Sequence, residues 1–180
     1  MPTDSLKLLG AQVAHPPEDE RAVRGPQVRL AVTVEVENQD TMPLYVWASA
    51  RGYEYDAQSK VLTLHLSEQP PASRPGIIII SQHPRAPAQV EVAPGSRTEV
   101  QVKIPPVTRR AASDGQGWVE DPIGEVARVD VDVQYAPTPL QPAEPHESAN
   151  AFRARMLQHG QVVQARLRPS SSGGATHKKE

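Results

Sequence analysis

The stretch VRLAVTVEVE, Val28–Glu37, alternates apolar side chains on one side of an extended chain with mostly polar ones on the other. This period of two is typical of a β-strand with one buried face. The stretch EVARVDVDVQY, Glu125–Tyr135, repeats the pattern, with Asp130 and Asp132 on its polar side. Because each such strand needs a second layer to cover its apolar face, the two stretches predict packed β-sheets.

Several shorter stretches carry the same strand pattern. Arg51–Asp56 and Val61–Leu66 are expected to form a hairpin with a four-residue loop. Only turn residues separate the strands at 28–37 and 44–48, so we expect these two to be neighbours in space. The chain is therefore predicted to be all-β, an antiparallel β-sandwich of about seven to nine strands. The remaining predicted strands are Ile77–Ile80, Gln89–Val92 and Glu99–Ile104.

The segment VEVAPGSRTEVQVKIP, Val90–Pro105, joins two alternating strands through a Pro-Gly turn. Together with the other strands between Val28 and Tyr135, it resembles the broad class of immunoglobulin-like and fibronectin type III-like modules. The resemblance is architectural, because the chain lacks the cysteine pair of antibody domains. It implies a module that binds or spaces other molecules, although a fold by itself does not fix a function.

Proline-rich and polar segments divide the chain into a main domain and three appendages. Residues 5–136 are predicted to form the sandwich domain. Residues 137–148 have the proline spacing of a semi-rigid polyproline-II linker. Residues 149–168 are expected to be a C-terminal hairpin that packs on the sandwich, and residues 169–180 a disordered polar tail.

The hairpin prediction for 149–168 has an open alternative. Apolar residues that alternate on both sides of Gly160 suit two strands joined by a turn, whereas the spacing of Phe152, Met156 and His159 also suits a helix. Gly160 and the adjacent valines Val162 and Val163 favour the hairpin.

Composition excludes several classes of function. The 180 residues carry a net charge of −2, which lacks the basic surplus that phosphate-driven nucleic-acid binding needs. The longest apolar runs, such as Ile77–Ile80, are far shorter than the roughly 20 residues that cross a bilayer. The first ten residues do not have the pattern of a secretory signal, so we expect a soluble, cytoplasmic protein with no membrane partner.

The residue types of common catalytic and metal sites are missing or scattered. With no cysteine, the chain cannot form a disulfide, a thiolate zinc site or a cysteine nucleophile. Its six histidines do not have the spacing that presents two imidazoles to one metal ion. Since nucleophile-elbow, phosphate-loop and dinucleotide motifs are also lacking, we expect no enzyme activity, no metal and no cofactor.

The segment Pro105–Gly124 has no hydrophobic periodicity, and loops of nearly that length are uncommon and usually functional. It contains Arg109, Arg110 and Trp118, which are residue types that dominate the energetics of interfaces. We therefore predict a non-catalytic interaction or structural subunit that binds another protein, or a second copy of itself, through loop 105–124. An exposed sheet edge, whose backbone groups accept a partner strand, is the second predicted contact.

A carbohydrate-binding module is the alternative function. Tyr45, Trp47, Tyr53 and Tyr55 lie in predicted strands, and outward-facing aromatic rings suit sugar stacking or protein contact. Two positions of Trp47 fit the pattern: in the core, or in an exposed stripe with Tyr45. The core position is the favoured one.

Overall fold

The chain folds mostly as β-strands. The computed structural model describes residues 4–17, 29–69 and 84–170. The predicted strand at 77–80 lies outside these ranges, as do residues 171–180 of the predicted tail. The elements of the described ranges are β1 (Leu6–Ala14), β2 (Leu30–Asn38), β3 (Leu44–Trp47), β4 (Gly52–Asp56), β5 (Val61–Leu66), β6 (Gln89–Val92), β7 (Arg97–Ile104), β8 (Val107–Ala111), β9 (Trp118–Pro122), β10 (Arg128–Ala136), α1 (Ala149–Gln158) and β11 (Gln161–Leu167).

Strand β2 is the centre of a three-stranded antiparallel sheet, with β1 and β7 on either side. Its alternation is confirmed, since Leu30, Val32, Val34 and Val36 are fully buried and the residues between them are partly exposed. The long β2 stretch therefore forms a strand with one face in the core, as its pattern predicts.

Strand β10 is the centre of a six-stranded sheet. Strand β11 pairs antiparallel with one edge of β10. On the other edge, β5 pairs with residues 128–133 and β3 pairs with residues 135–136. Strand β4 continues the sheet beyond β5, and β6 continues it beyond β3. The β5–β10 pair is parallel, so the prediction of a wholly antiparallel arrangement is wrong. Parallel neighbours need a long crossover connection, and the 61 residues between Leu66 and Arg128 provide one.

The inner faces of the two sheets share one hydrophobic core. It includes Val34 and Ile104 from the smaller sheet and Leu64, Val131 and Val133 from the larger. The all-β prediction is confirmed at this level, with eleven strands in the described ranges instead of the predicted seven to nine.

Strands β2 and β3 belong to different sheets, so the prediction that they are neighbours is wrong. The chain crosses between the sheets at Asn38, which is fully buried. Its side-chain amide donates to the carbonyls of Met42, at 2.8 Å, and Val92, at 2.9 Å. These bonds satisfy the buried amide of Asn38 and fix the turn at which the chain changes sheets. The alternation of apolar residues in a strand does not reveal such a turn.

The β4–β5 hairpin with its four-residue loop is confirmed, because Asp56 pairs with Val61. The Asp56 carboxylate accepts from the Gln58 backbone at 3.0 Å and from the Ser59 hydroxyl at 2.7 Å. Local side-chain bonds of this kind are the usual stabilisers of such turns.

The predicted C-terminal hairpin at 149–168 is wrong, because its first half is helix α1 and only its second half, β11, is a strand. The Ser148 side chain caps the helix by accepting from the Ala151 backbone at 3.1 Å. Phe152 and Met156 lie four residues apart on one helical face and are both buried. Gly160 then takes a positive φ of 71° and turns the chain into β11.

The C-terminal strap, residues 137–158, lies against the larger sheet and does not act as a free linker. Leu140 is buried, and its backbone exchanges hydrogen bonds of 2.8 and 3.1 Å with the Gln89 amide. Beyond β11, the Ser170 backbone donates to Ala11 at 3.0 Å, so the start of the predicted tail is attached to β1.

Candidate functional site

The segment predicted to be a structureless contact loop is a β-hairpin, here called the arm, residues 106–123. Strands β8 and β9 pair from Val107 with Pro122 to Ala111 with Trp118, and the Ala112 backbone donates to Gly117 at 3.1 Å to close the turn. The hydrophobic alternation that reveals a strand arises from burial of one face. Because both faces of the arm are largely exposed, its sequence lacks that signal.

The base of the arm is fixed to the core. Ile123 is buried and its backbone donates to Pro106 at 2.8 Å. The Tyr53 hydroxyl donates to the Val107 carbonyl at 2.8 Å, and burial raises the pKa of this hydroxyl. From Arg109 to Trp118 nearly every residue is exposed, so the arm extends into solvent from an ordered base.

Arg109 and Arg110 lie on opposite faces of the arm, because neighbouring strand residues point in opposite directions. Arg109 forms an ion pair with Glu120 at 2.9 Å, and Arg110 forms one with Asp121 at 2.7 Å. All four side chains are largely exposed, so the pairs add little to folding stability. With Asp114 the arm has three acidic residues against two arginines, so it is not a basic patch.

Trp118 lies at the outer end of the arm, and 56% of its surface is exposed. It is directly opposite Ala111 and on the same face as the Arg109–Glu120 pair. The structure thus brings the three predicted contact residues onto one element, with Trp118 and Arg109 on one face and Arg110 on the other.

The four aromatic residues of the carbohydrate alternative do not form one exposed surface. Tyr45 points away from the core that Leu44 and Val46 help to form. Tyr53 and Tyr55 pack against that core from β4, and the Tyr55 hydroxyl donates to the Glu125 carbonyl at 2.6 Å. These positions separate the tyrosines of β4 from Tyr45.

Trp47 is fully buried, as the favoured prediction requires, but it lies outside the main core. It is on the outer face of β3, where the strap covers it. Together with Leu140, Phe152 and Met156 it forms a second, smaller hydrophobic cluster.

The outer face of the larger sheet carries a polar network that was not among the predicted sites. The Asp132 carboxylate accepts hydrogen bonds from His65 Nδ1, Ser67 Oγ and Gln69 Nε2. His65 and Asp132 are brought side by side by the parallel β5–β10 register, which no local pattern reveals. Ser67 donates to Asp132 and not to His65, so this network does not have the nucleophile–base contact of a hydrolytic triad.

Beside this network lies an open depression of about 380 Å³. Residues from three adjacent strands, β5, β10 and β11, line it. The polar ones are Thr63, His65, Asp130, Asp132, Gln164 and Arg166.

Glu68 is the centre of a second buried network, which attaches the strap to the sheet. Its carboxylate accepts from Arg51 at 3.0 Å and lies 3.7 Å from Arg153 of α1. The Gln134 amide donates to the carbonyls of Met156 and His159. These bonds satisfy buried polar groups and hold α1 over Trp47.

Within residues 4–17, 29–69 and 84–170, histidine and acidic side chains do not cluster in groups of three that could hold a metal ion. In the same ranges, α1 is too short and too polar to cross a membrane. Comparisons of the chain with protein-family models, with curated proteins and with solved structures found no match.

Proposed function

We propose that the chain is an immunoglobulin-like interaction module, a non-catalytic subunit that binds a protein partner through the arm. The observation that carries this proposal is Trp118, a large aromatic side chain more than half exposed at the outer end of an ordered hairpin. Tryptophan and arginine are the residue types most enriched among the residues that dominate binding energy.

The construction of the arm favours binding. Its base is held by Ile123 and Tyr53, and its two strands pair along their whole length from Val107–Pro122 to Ala111–Trp118. A contact surface that is ordered before binding loses less conformational entropy when the complex forms. The arm therefore presents Trp118 and Arg109 in a fixed relation to each other.

The two-sheet arrangement supports the immunoglobulin-like part of the proposal. Two sheets enclose one core, and the chain passes from one sheet to the other at Asn38 and again at the turn around Gly95. The carbohydrate alternative has less support, because Trp47 is buried and the three tyrosines face different surroundings.

The test compares two equally exposed hydrophobic side chains. Trp118 and Met42 are each 56% exposed, but only Trp118 lies on the arm. With the full chain as bait in native lysate, Trp118→Ala should lose a co-purifying protein that both the wild type and Met42→Ala retain. Both variants should keep the wild-type melting temperature. A partner that Trp118→Ala retains in full would overturn the proposal.

A further inference from the structure

Alternate backbone groups of the arm point away from the hairpin. Two hydrogen bonds mark the ends of its ladder: Ala112 to Gly117 near the turn, and Ile123 to Pro106 at the base. In an antiparallel pair, residues that exchange hydrogen bonds alternate with residues whose N–H and C=O groups point outward. The outward-pointing positions are therefore 107, 109 and 111 on β8, and 118, 120 and 122 on β9.

The two outer edges of the arm differ. On the β8 edge, the Val107 carbonyl already accepts the Tyr53 hydroxyl, which lies across the base of that edge. On the β9 edge, Pro122 has no N–H to offer, and only Trp118 and Glu120 present both a donor and an acceptor. Among the described residues, β9 pairs with β8 alone.

We propose that the β9 edge pairs antiparallel with the β9 edge of a second copy of the chain. This inference rests on the proposed function of the arm and names its partner. On each β9 edge, Trp118 and Glu120 can each donate one backbone hydrogen bond and accept another. An antiparallel pairing with its two-fold axis at Val119 brings these donors opposite these acceptors. Trp118 then faces Glu120 of the second copy, and Glu120 faces Trp118 of the second copy, which gives four backbone hydrogen bonds.

Side chains complement each other in this register. Trp118 of one copy lies across from Glu120 of the other copy. The Arg109 guanidinium that pairs with this Glu120 is then next to the Trp118 ring. A guanidinium next to an indole ring forms a favourable cation–π contact. Because the Arg109–Glu120 pair is neutral as a whole, it adds no repulsion where the two β9 edges meet.

The pairing also relieves a weakness of the arm itself. A two-stranded ribbon is marginally stable in water, and three or more strands are more stable. Two paired arms form a four-stranded sheet in which both β9 strands are internal. An exposed edge that natural proteins otherwise protect is thereby covered.

The test places proline on each of the two edges of the arm. Glu120→Pro removes the outward N–H of the β9 edge, and Ala111→Pro removes an outward N–H of the β8 edge. Neither N–H lies in the internal ladder of the arm. Glu120→Ala also loses the ion pair with Arg109 but keeps its N–H, so it should associate more strongly than Glu120→Pro. By sedimentation equilibrium over a range of concentrations, the wild type and Ala111→Pro should approach twice the monomer mass. Glu120→Pro should associate on the order of tenfold more weakly, or not at all.

A second measurement does not depend on any variant. Hydrogen exchange at the Glu120 amide of the wild type should slow as the protein is concentrated, whereas exchange at the Arg109 amide should not change. A monomeric wild type at all concentrations, or dimerisation of Glu120→Pro equal to the wild type, would overturn the inference. The proposed function would survive that result if Trp118→Ala still lost its partner protein, and both ideas would fail if it did not.

Discussion

The arm and the strap are two additions to the same pair of sheets, and each is associated with one of the two tryptophans. The strap covers Trp47 completely with Leu140, Phe152 and Met156, whereas the arm leaves Trp118 more than half exposed. Neither segment has strand alternation in its sequence. What distinguishes them is the presence of a complementary apolar surface, so one tryptophan stabilises the fold and the other is available for contact.

The largest expected difference between the strap and the arm is in the stability lost when an apolar side chain is removed. Phe152→Ala leaves a cavity beneath the strap and should lower the free energy of unfolding by about 3–5 kcal/mol. Trp118→Ala removes a largely exposed side chain and should change it by less than about 0.5 kcal/mol. Urea denaturation of the two variants measures both values. Equal losses would mean that the arm is packed as tightly as the strap.

Glycines with positive φ offer a sharper comparison. A Cβ at Gly160 would overlap the backbone oxygen of Tyr135, whereas a Cβ at Gly115 of the arm meets open space. Their φ angles, 71° and 73°, are nearly the same, so the left-handed backbone destabilises both alanine variants by about the same free energy. Gly160→Ala should lower the unfolding free energy by about 3 kcal/mol, and Gly115→Ala by about 1 kcal/mol. Similar melting temperatures for the two variants would contradict this difference.

The smallest expected effect is a loss of strap stability at acid pH. The hydrogen bond from Arg155 holds the pKa of Glu147 below its ordinary value of 4.5, and Arg155 also donates to the Gln141 and Pro142 carbonyls of the strap. The stabilisation from this pair is therefore fully present above pH 4.5 and is lost as the pH falls through the lowered pKa of the folded state.

Glu147→Gln measures this contribution. The stability difference between the wild type and Glu147→Gln should shrink as the pH falls below 4.5. Fluorescence of Trp47 in a Trp118→Phe background reports on the strap alone. A difference that stayed constant down to pH 2 would exclude the ion pair as its source.

Local patterns predicted the individual strands better than their partners. The alternation of Leu30–Glu37 follows from burial of one face, and the turn chemistry of Asp56 fixes a hairpin within a few residues. The change of sheet at Asn38 and the parallel β5–β10 pair depend on contacts between distant residues, which a single sequence does not display.

The candidate site was predictable to the same extent. The residue types of Arg109, Arg110 and Trp118 identified the segment, but the face that each one occupies follows from the hairpin register. Helix α1 differs from the predicted strand because the turn at Gly160 joins a helix to β11 and not two strands, and the sequence signal of that turn is the same in both cases. The His65–Asp132 contact needed the parallel register and could not be inferred.

The central place of β10 constrains the synthesis of the chain. Within the described part of the larger sheet, the β4–β5 and β3–β6 pairs are joined to each other only through β10, which follows all four strands in the sequence. Two-stranded ribbons are marginally stable alone. A nascent chain that has not yet released residues 128–136 from the ribosome therefore holds two unsupported ribbons, and the larger sheet assembles only after β10 has emerged.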